Sequence, residues 1–181
     1  MDVIDALDQS YQHTQRVIAG VGAGDYDRPT PCESWTVRDL LEHMVGVVAG
    51  LGAAAAGAER QPFTLSDDPA TQFETVAATN LAAWRRPGVL DEVVNGGPGP
   101  MPGRVLAGIN LLDTTTHTWD LARATGQDER LPDDVARAAL EASRQIITPE
   151  IRSGRFGPEL AAPANANATD ELVSFLGRPA S

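Results

Sequence analysis

Three ionisable side chains stand at helical spacing in one short segment: Asp113, His117 and Asp120, within LLDTTTHTWDLARATG. At about 100° per residue they fall on one stripe with Leu106, Ile109 and Ala124, so charged groups interrupt a line that begins and ends apolar. Burying an unpaired carboxylate costs several kcal/mol, and such a stripe needs a compensating partner, which a metal ion supplies. Asp113 and His117 are one turn apart, the spacing at which two helical side chains point at a common ion. His43 lies at the edge of the apolar face of an earlier amphipathic segment, with Gly46 and Gly50 on its other side, where little bulk blocks a close approach. Two histidines and a carboxylate leave a coordination position open, which suits catalytic zinc and equally non-haem iron(II). The same residues also admit a plainer arrangement, with His43 at the edge of the core and Asp113–His117 as a private ion pair. Spacing does not separate the two.

Neighbouring residues have their own expectations. Asp120, three residues after His117, can accept the free ring N–H of that histidine and so orient it, or it can pair with Arg123. Trp119 is expected to pack in the core. His13, roughly 120° from the centre of the first helix's apolar face, is expected on the surface. Cys32, the single cysteine, excludes an internal disulfide and a cysteine-only metal site, and is expected to be a buried structural thiol. Arg38 and Arg104 could meet an anionic substrate but are expected to be solvated.

The elements that position these residues are helical. Ile4, Leu7, Tyr11, Thr14, Ile18 and Val21 step by three or four and predict a first helix from Val3 to Val21. Gly22, Gly24 and Pro29-Thr30-Pro31 then make a linker. Thr36 with Asp39 reads as a capping box, and Trp35 with Leu40 as a hydrophobic staple, opening a second helix along Val37, Leu40, Leu41, Met44, Val47, Val48 and Leu51. Asp68-Pro69 starts a third, closed by Pro87-Gly88. NGGPGPMPG, residues 95 to 103, reads as a loop; its prolines remove the amide donors a phosphate cradle would need. A fourth helix from about Arg104 to Thr125 ends at Gly126, and a fifth runs from Pro132 to Ile147 before Pro149. The remainder is expected to be irregular apart from a short helix from Asp170 to Leu176. No run alternates long enough for a sheet, and no internal repeat is present. The expected class is all-α: a bundle with additional short helices, one domain over residues 1–181 with an irregular tail from about 150.

Composition narrows the function classes. Apolar residues make up 42%, enough for one core. With 25 acidic against 14 basic residues, the net charge is -11, which repels phosphate backbones and anionic membrane surfaces. All the bases are arginine, so Schiff-base chemistry, lysine general bases and P-loop nucleotide binding are excluded. The N-terminus MDVIDALDQSYQ carries acids where a signal peptide has bases, and no apolar run reaches membrane-spanning length, so a cytoplasmic protein is expected.

Three blocks of sequence carry a family resemblance: PTPCESWTVRDLLEHMVG (Pro29 to Gly46), HTWDLARATGQ (His117 to Gln127) and RFGPELAAPANANATDELVSFLGRP. They resemble the mycothiol-linked branch of the DinB-like metal-binding proteins, the branch that includes the N-terminal domain of mycothiol-dependent maleylpyruvate isomerase. The resemblance implies a DinB-like four-helix bundle with a divalent metal near one end, usually zinc, with Ni2+ or Fe2+ also admissible. By motif its ligands fall on His43, Asp113 and His117. The isomerase has Glu at the acid position where this chain has Asp113, so direct ligation or bonding through water stays open there. The isomerase also carries a further C-terminal domain that contributes to catalysis, so isomerisation of maleylpyruvate itself is not implied. The expected activity is metal-dependent transfer of mycothiol or a similar thiol to a small electrophile. A metal-dependent hydrolase using activated water, and a non-catalytic metal-stabilised module that binds a protein partner, are the alternatives. Expected partners are a small thiol and an electrophile, with no nucleic acid or membrane; bundles of this kind can form homodimers.

Overall fold

The computed structural model describes residues 1–96, 99–153 and 156–180. Four helices form a ring: α1 (Val3–Ala19), α2 (Val37–Ala55), α3 (Pro69–Trp84) and α4 (Gly103–Thr125), in which α1 packs on α3 and α4 while α2 also packs on both. A further helix, α5 (Asp133–Ile146), lies against α4 and α1, and α7 (Ala168–Phe175) against α5. The short α6 (Pro149–Arg152) opens the tail that was expected to be irregular. The expected all-α bundle is the architecture found.

Local chemistry sets the helix ends. Asp2 caps α1 by accepting from the Ile4 and Asp5 amides, both at 2.9 Å. The Thr36/Asp39 box closes reciprocally at the start of α2, with the Thr36 amide donating to Asp39 Oδ2 at 2.9 Å. Asp68 caps α3 with Pro69 at its first position, and Gly126 ends α4 in the left-handed conformation, φ 72°. α1 stops at Ala19, two residues short of the expected Val21.

The loop expected at residues 95 to 103 is instead largely part of a ribbon. There β1 (Val93–Gly96) and β2 (Gly99–Pro102) pair antiparallel, with Val93 opposite Pro102 and Gly96 opposite Gly99; residues 97 and 98 lie outside the described residues. A two-stranded ribbon consists of edges, so proline is tolerated where its missing donor would face outward. Pro100 and Pro102 take alternate positions, and the next residue, Gly103, donates to the Glu92 carbonyl at 2.8 Å.

The core between the helices is apolar around Leu7, Leu40, Leu41, Met44, Phe73, Trp84, Leu106 and Leu111. It also holds a polar link joining α1, α3 and α4. The Tyr11 hydroxyl lies 2.9 Å from Asn80 Oδ1 and 3.1 Å from Asn110 Oδ1, while Asn80 Nδ2 donates to the Val48 carbonyl at 2.8 Å. Such a network is tolerated because its members satisfy one another. Close approach of α2 to α3 depends on Gly52, where an added Cβ would sit 2.9 Å from the Asn80 Cα.

Candidate metal centre

α2 and α4 bring the three sequence-predicted ligand residues together. His43 Nε2 lies 3.2 Å from Asp113 Oδ2, and His117 Nε2 lies 3.7 Å from the same oxygen. The two imidazole centroids are 4.8 Å apart and nearly perpendicular. One donor atom from each residue lies within 4.8 Å of the others. Donors about 2.0–2.2 Å from a tetrahedral cation are separated from each other by roughly 3.4 Å, and the 3.2 and 3.7 Å separations bracket that edge. Asp113 Oδ1 is buried and has no hydrogen-bond partner. Oδ2 is the oxygen that both imidazoles approach, so Oδ1 is left as an unused acceptor of the same carboxylate. The shorter arm of aspartate still reaches both rings.

The far side of His117 is held as firmly. Its Nδ1 lies 3.0 Å from Asp120 Oδ2. A carboxylate only accepts, so Nδ1 carries the proton and Nε2 is left facing His43 and Asp113. Asp120 is 0% exposed, and its partners come from distant segments. Arg178 grips both of its oxygens, Nε to Oδ1 and a terminal nitrogen to Oδ2, each at 2.8 Å. The Cys32 thiol donates to Oδ2 at 3.3 Å. Backbone geometry aims these groups. Gly177, φ 80°, ends α7 where a Cβ would meet the Gly157 backbone at 2.7 Å, and Arg178 follows it directly. Ser34, φ 66°, turns the loop between Cys32 and Trp35.

Charge follows from this arrangement. Burial alone disfavours the charged His117 ring, but the Asp113 carboxylate and the Asp120 hydrogen bond outweigh it and raise its pKa to about 10. Burial likewise works against the Asp120 carboxylate, yet hydrogen bonds from His117 and Arg178 hold its pKa down at about 2. Cys32, His117 and Asp120 form a second cluster of candidate donors. A cation there would face the Arg178 guanidinium, 4.0 Å from the thiol, and would compete for carboxylate oxygens already engaged. Among the described residues no arginine pairs with Asp113.

Several residues differ from expectation. Cys32 is half-buried beside His117 rather than buried in the core. Asp120 pairs with Arg178, while Arg123 reaches Glu129 and lies over Trp119. Trp35 packs beside both histidines, 4.9 Å from the His43 ring and 6.0 Å from His117, a role its place before the helix cap did not announce. His13 is half-buried on α1, its Nδ1 3.2 Å from an Arg16 nitrogen, and it takes no part in either cluster. Trp119 is core, Arg38 lies over Tyr26, and Arg104 pairs with Asp91.

Comparison with known proteins agrees with this architecture. An uncharacterized protein of Mycobacterium tuberculosis, found in strains H37Rv and CDC 1551, is 33% identical over 180 residues, 98% of each chain. A crystal structure of a mycothiol-dependent maleylpyruvate isomerase superposes with a TM-score of 0.55 at 17% identity, covering 76% of this chain and 68% of that one. A DinB-like protein of Bacillus subtilis superposes at 0.58 and 15% identity, covering 72% and 95%. These two structures share the fold. The sequence profile described as the mycothiol maleylpyruvate isomerase N-terminal domain matches residues 7–122. That profile spans more than half of the chain, which therefore belongs to the mycothiol maleylpyruvate isomerase N-terminal domain family.

Proposed function

We propose that the protein binds a divalent cation, zinc foremost, through His43, Asp113 and His117, and transfers a low-molecular-weight thiol of the mycothiol type to a small electrophile. The observation that carries this is the meeting of His43 Nε2 and His117 Nε2 on Asp113 Oδ2, at 3.2 and 3.7 Å, with no fourth donor in the cluster among the described residues. Structural zinc normally takes four protein ligands; three leave room for an exchangeable one. His13, the remaining histidine, lies outside the cluster. The family's isomerase supports the choice of thiol.

A bound cation supplies acidification of the thiol, so that the sulfur is a nucleophile at neutral pH. The chain's own residues do the rest. Asp120 fixes the His117 tautomer, Arg178 fixes Asp120, and Trp35 packs beside the two rings. Addition across an activated C=C forms one C–S and one C–H bond. The thiol proton leaves to solvent and a proton returns to the adjacent carbon, so no oxidant or reductant is needed.

The test is elemental analysis and turnover together. Wild-type protein is expected to retain one metal per chain and to conjugate mycothiol to a generic electrophile in a chelator-sensitive reaction. His117→Ala is expected to lose both. Stoichiometric metal in that variant overturns the ligand assignment; chelator-sensitive ester cleavage without thiol turnover replaces transfer by hydrolysis.

A further inference from the structure

Between α2 and α3 the chain runs back across Gly46 and Gly50 of α2. The Phe63 ring takes the space at Gly46, where an added Cβ would lie 3.1 Å away. Arg60 lies along Gly50: its Nε, Cδ and Cζ sit 3.1, 3.3 and 3.5 Å from the place a Cβ would occupy. The arginine is exposed to solvent, yet its course is set by a missing side chain.

Two clefts meet at this residue. One, about 520 Å³, is lined by Glu42, His43 and Phe63 as well as Arg60. The other, about 380 Å³, is lined by Asn95, Ile109 and Asp113 as well as Arg60. Arg60 thus borders both the cleft that opens on His43 and the one that opens on Asp113. Acids outnumber bases 25 to 14, so an arginine has many carboxylates to choose from. Among the described arginines, only Arg60 and Arg137 make no ion pair, hydrogen bond or ring contact. Arg137 lies on α5, away from the clefts. An unpaired guanidinium, seated in a glycine groove between two clefts that share a candidate metal centre, is a fork for a planar anion.

We propose that Arg60 is the substrate-recognition residue of this site and takes a carboxylate on the molecule that is modified. The assignment rests on the thiol-transfer reading for its meaning, but its test does not. Metal-free protein is titrated by NMR with succinate and with its uncharged isostere succinamide, following the Arg60 Nε–H and the amides of residues 43–50. Succinate is expected to give saturable shifts in the wild type, about 10-fold weaker binding in Arg60→Gln and unchanged binding in Arg137→Gln, with none for succinamide. Equal affinity in Arg60→Gln, no saturable shift in the wild type, or equal binding of succinamide overturns it. With zinc-loaded protein, Arg60→Gln is expected to raise KM for an acid electrophile about 10-fold and to erase its preference over the matching amide. Failure of all conjugation refutes thiol transfer, while the succinate titration still decides on Arg60.

Discussion

Replacing Asp120 by asparagine keeps the shape of the side chain and removes its charge, which isolates the role of that carboxylate. Its pKa is held at about 2 against an ordinary 3.8, which at about 1.4 kcal/mol per pH unit corresponds to about 2 kcal/mol of stability at neutral pH. The sign is that of a depressed acid: the contribution is present above pH 3.8 and lost as pH falls through 2. Asparagine also leaves the largely buried Arg178 without its partner, and breaking a buried pair costs about 3–5 kcal/mol. The two figures describe overlapping interactions, so the expected loss for metal-free Asp120→Asn is about 3 kcal/mol by urea denaturation. Orientation of His117 is lost separately, and groups that orient metal-bound histidine are worth about 10–100-fold in affinity. Competition with a chromophoric zinc chelator reads that term. The double variant Asp120→Asn/Arg178→Gln is expected to be less destabilised than the sum of the singles, because no orphaned guanidinium remains. Zinc affinity within twofold of wild type in Asp120→Asn would refute the claim that this carboxylate sets the ring.

Other consequences follow from the same geometry. Because the pKa of His117 is raised from 6.5 to about 10, metal-free protein is expected to be most stabilised by this ring below pH 6.5 and to lose that contribution as pH rises through 10; His117→Gln should flatten the profile in pH-dependent urea melts. Zinc must displace the same proton, so its affinity is expected to rise over that interval with release of about one proton per ion, measurable by calorimetry in two buffers. Gly52→Ala drives a methyl against the Asn80 backbone and is expected to cost about 1–3 kcal/mol in urea, with no effect on metal affinity. Asn80→Ala strips the Tyr11 hydroxyl and the Val48 carbonyl of a buried partner and is expected to cost about 2–4 kcal/mol by the same measurement.

What could be read in the sequence is what neighbours along the chain determine. The Thr36/Asp39 box, Asp68-Pro69 and Gly126 are signals within a few residues, and each marks the helix end it predicts. The stripe on α4 is likewise local, and a periodic pattern shows which side chains share a face. Asp120 shows where locality ends. Arg123, three residues on, was an available partner by spacing, yet the carboxylate pairs with Arg178, 58 positions away, because the left-handed Gly177 turns that arginine inward. Nothing near Cys32 says that its loop returns to His117, 85 positions away. The ribbon at 93–102 was hidden by its prolines, whose outward-facing positions appear only once the strands are paired. Arg60 escaped notice for a related reason: the glycine that seats it is ten residues earlier and on another element.

The candidate centre draws on residues 32 to 43, 113 to 120 and 178, stretches that an unfolded chain keeps far apart. A cation recognising that assembly has no comparable foothold on the denatured polypeptide, so its whole binding energy tilts the equilibrium toward the finished architecture. At a hundredfold excess over Kd this amounts to about 2.7 kcal/mol, several degrees of melting temperature in a molecule of this size. Thermal melts in graded zinc therefore double as an affinity measurement, and any ion that shifts the midpoint reports that all those stretches have met.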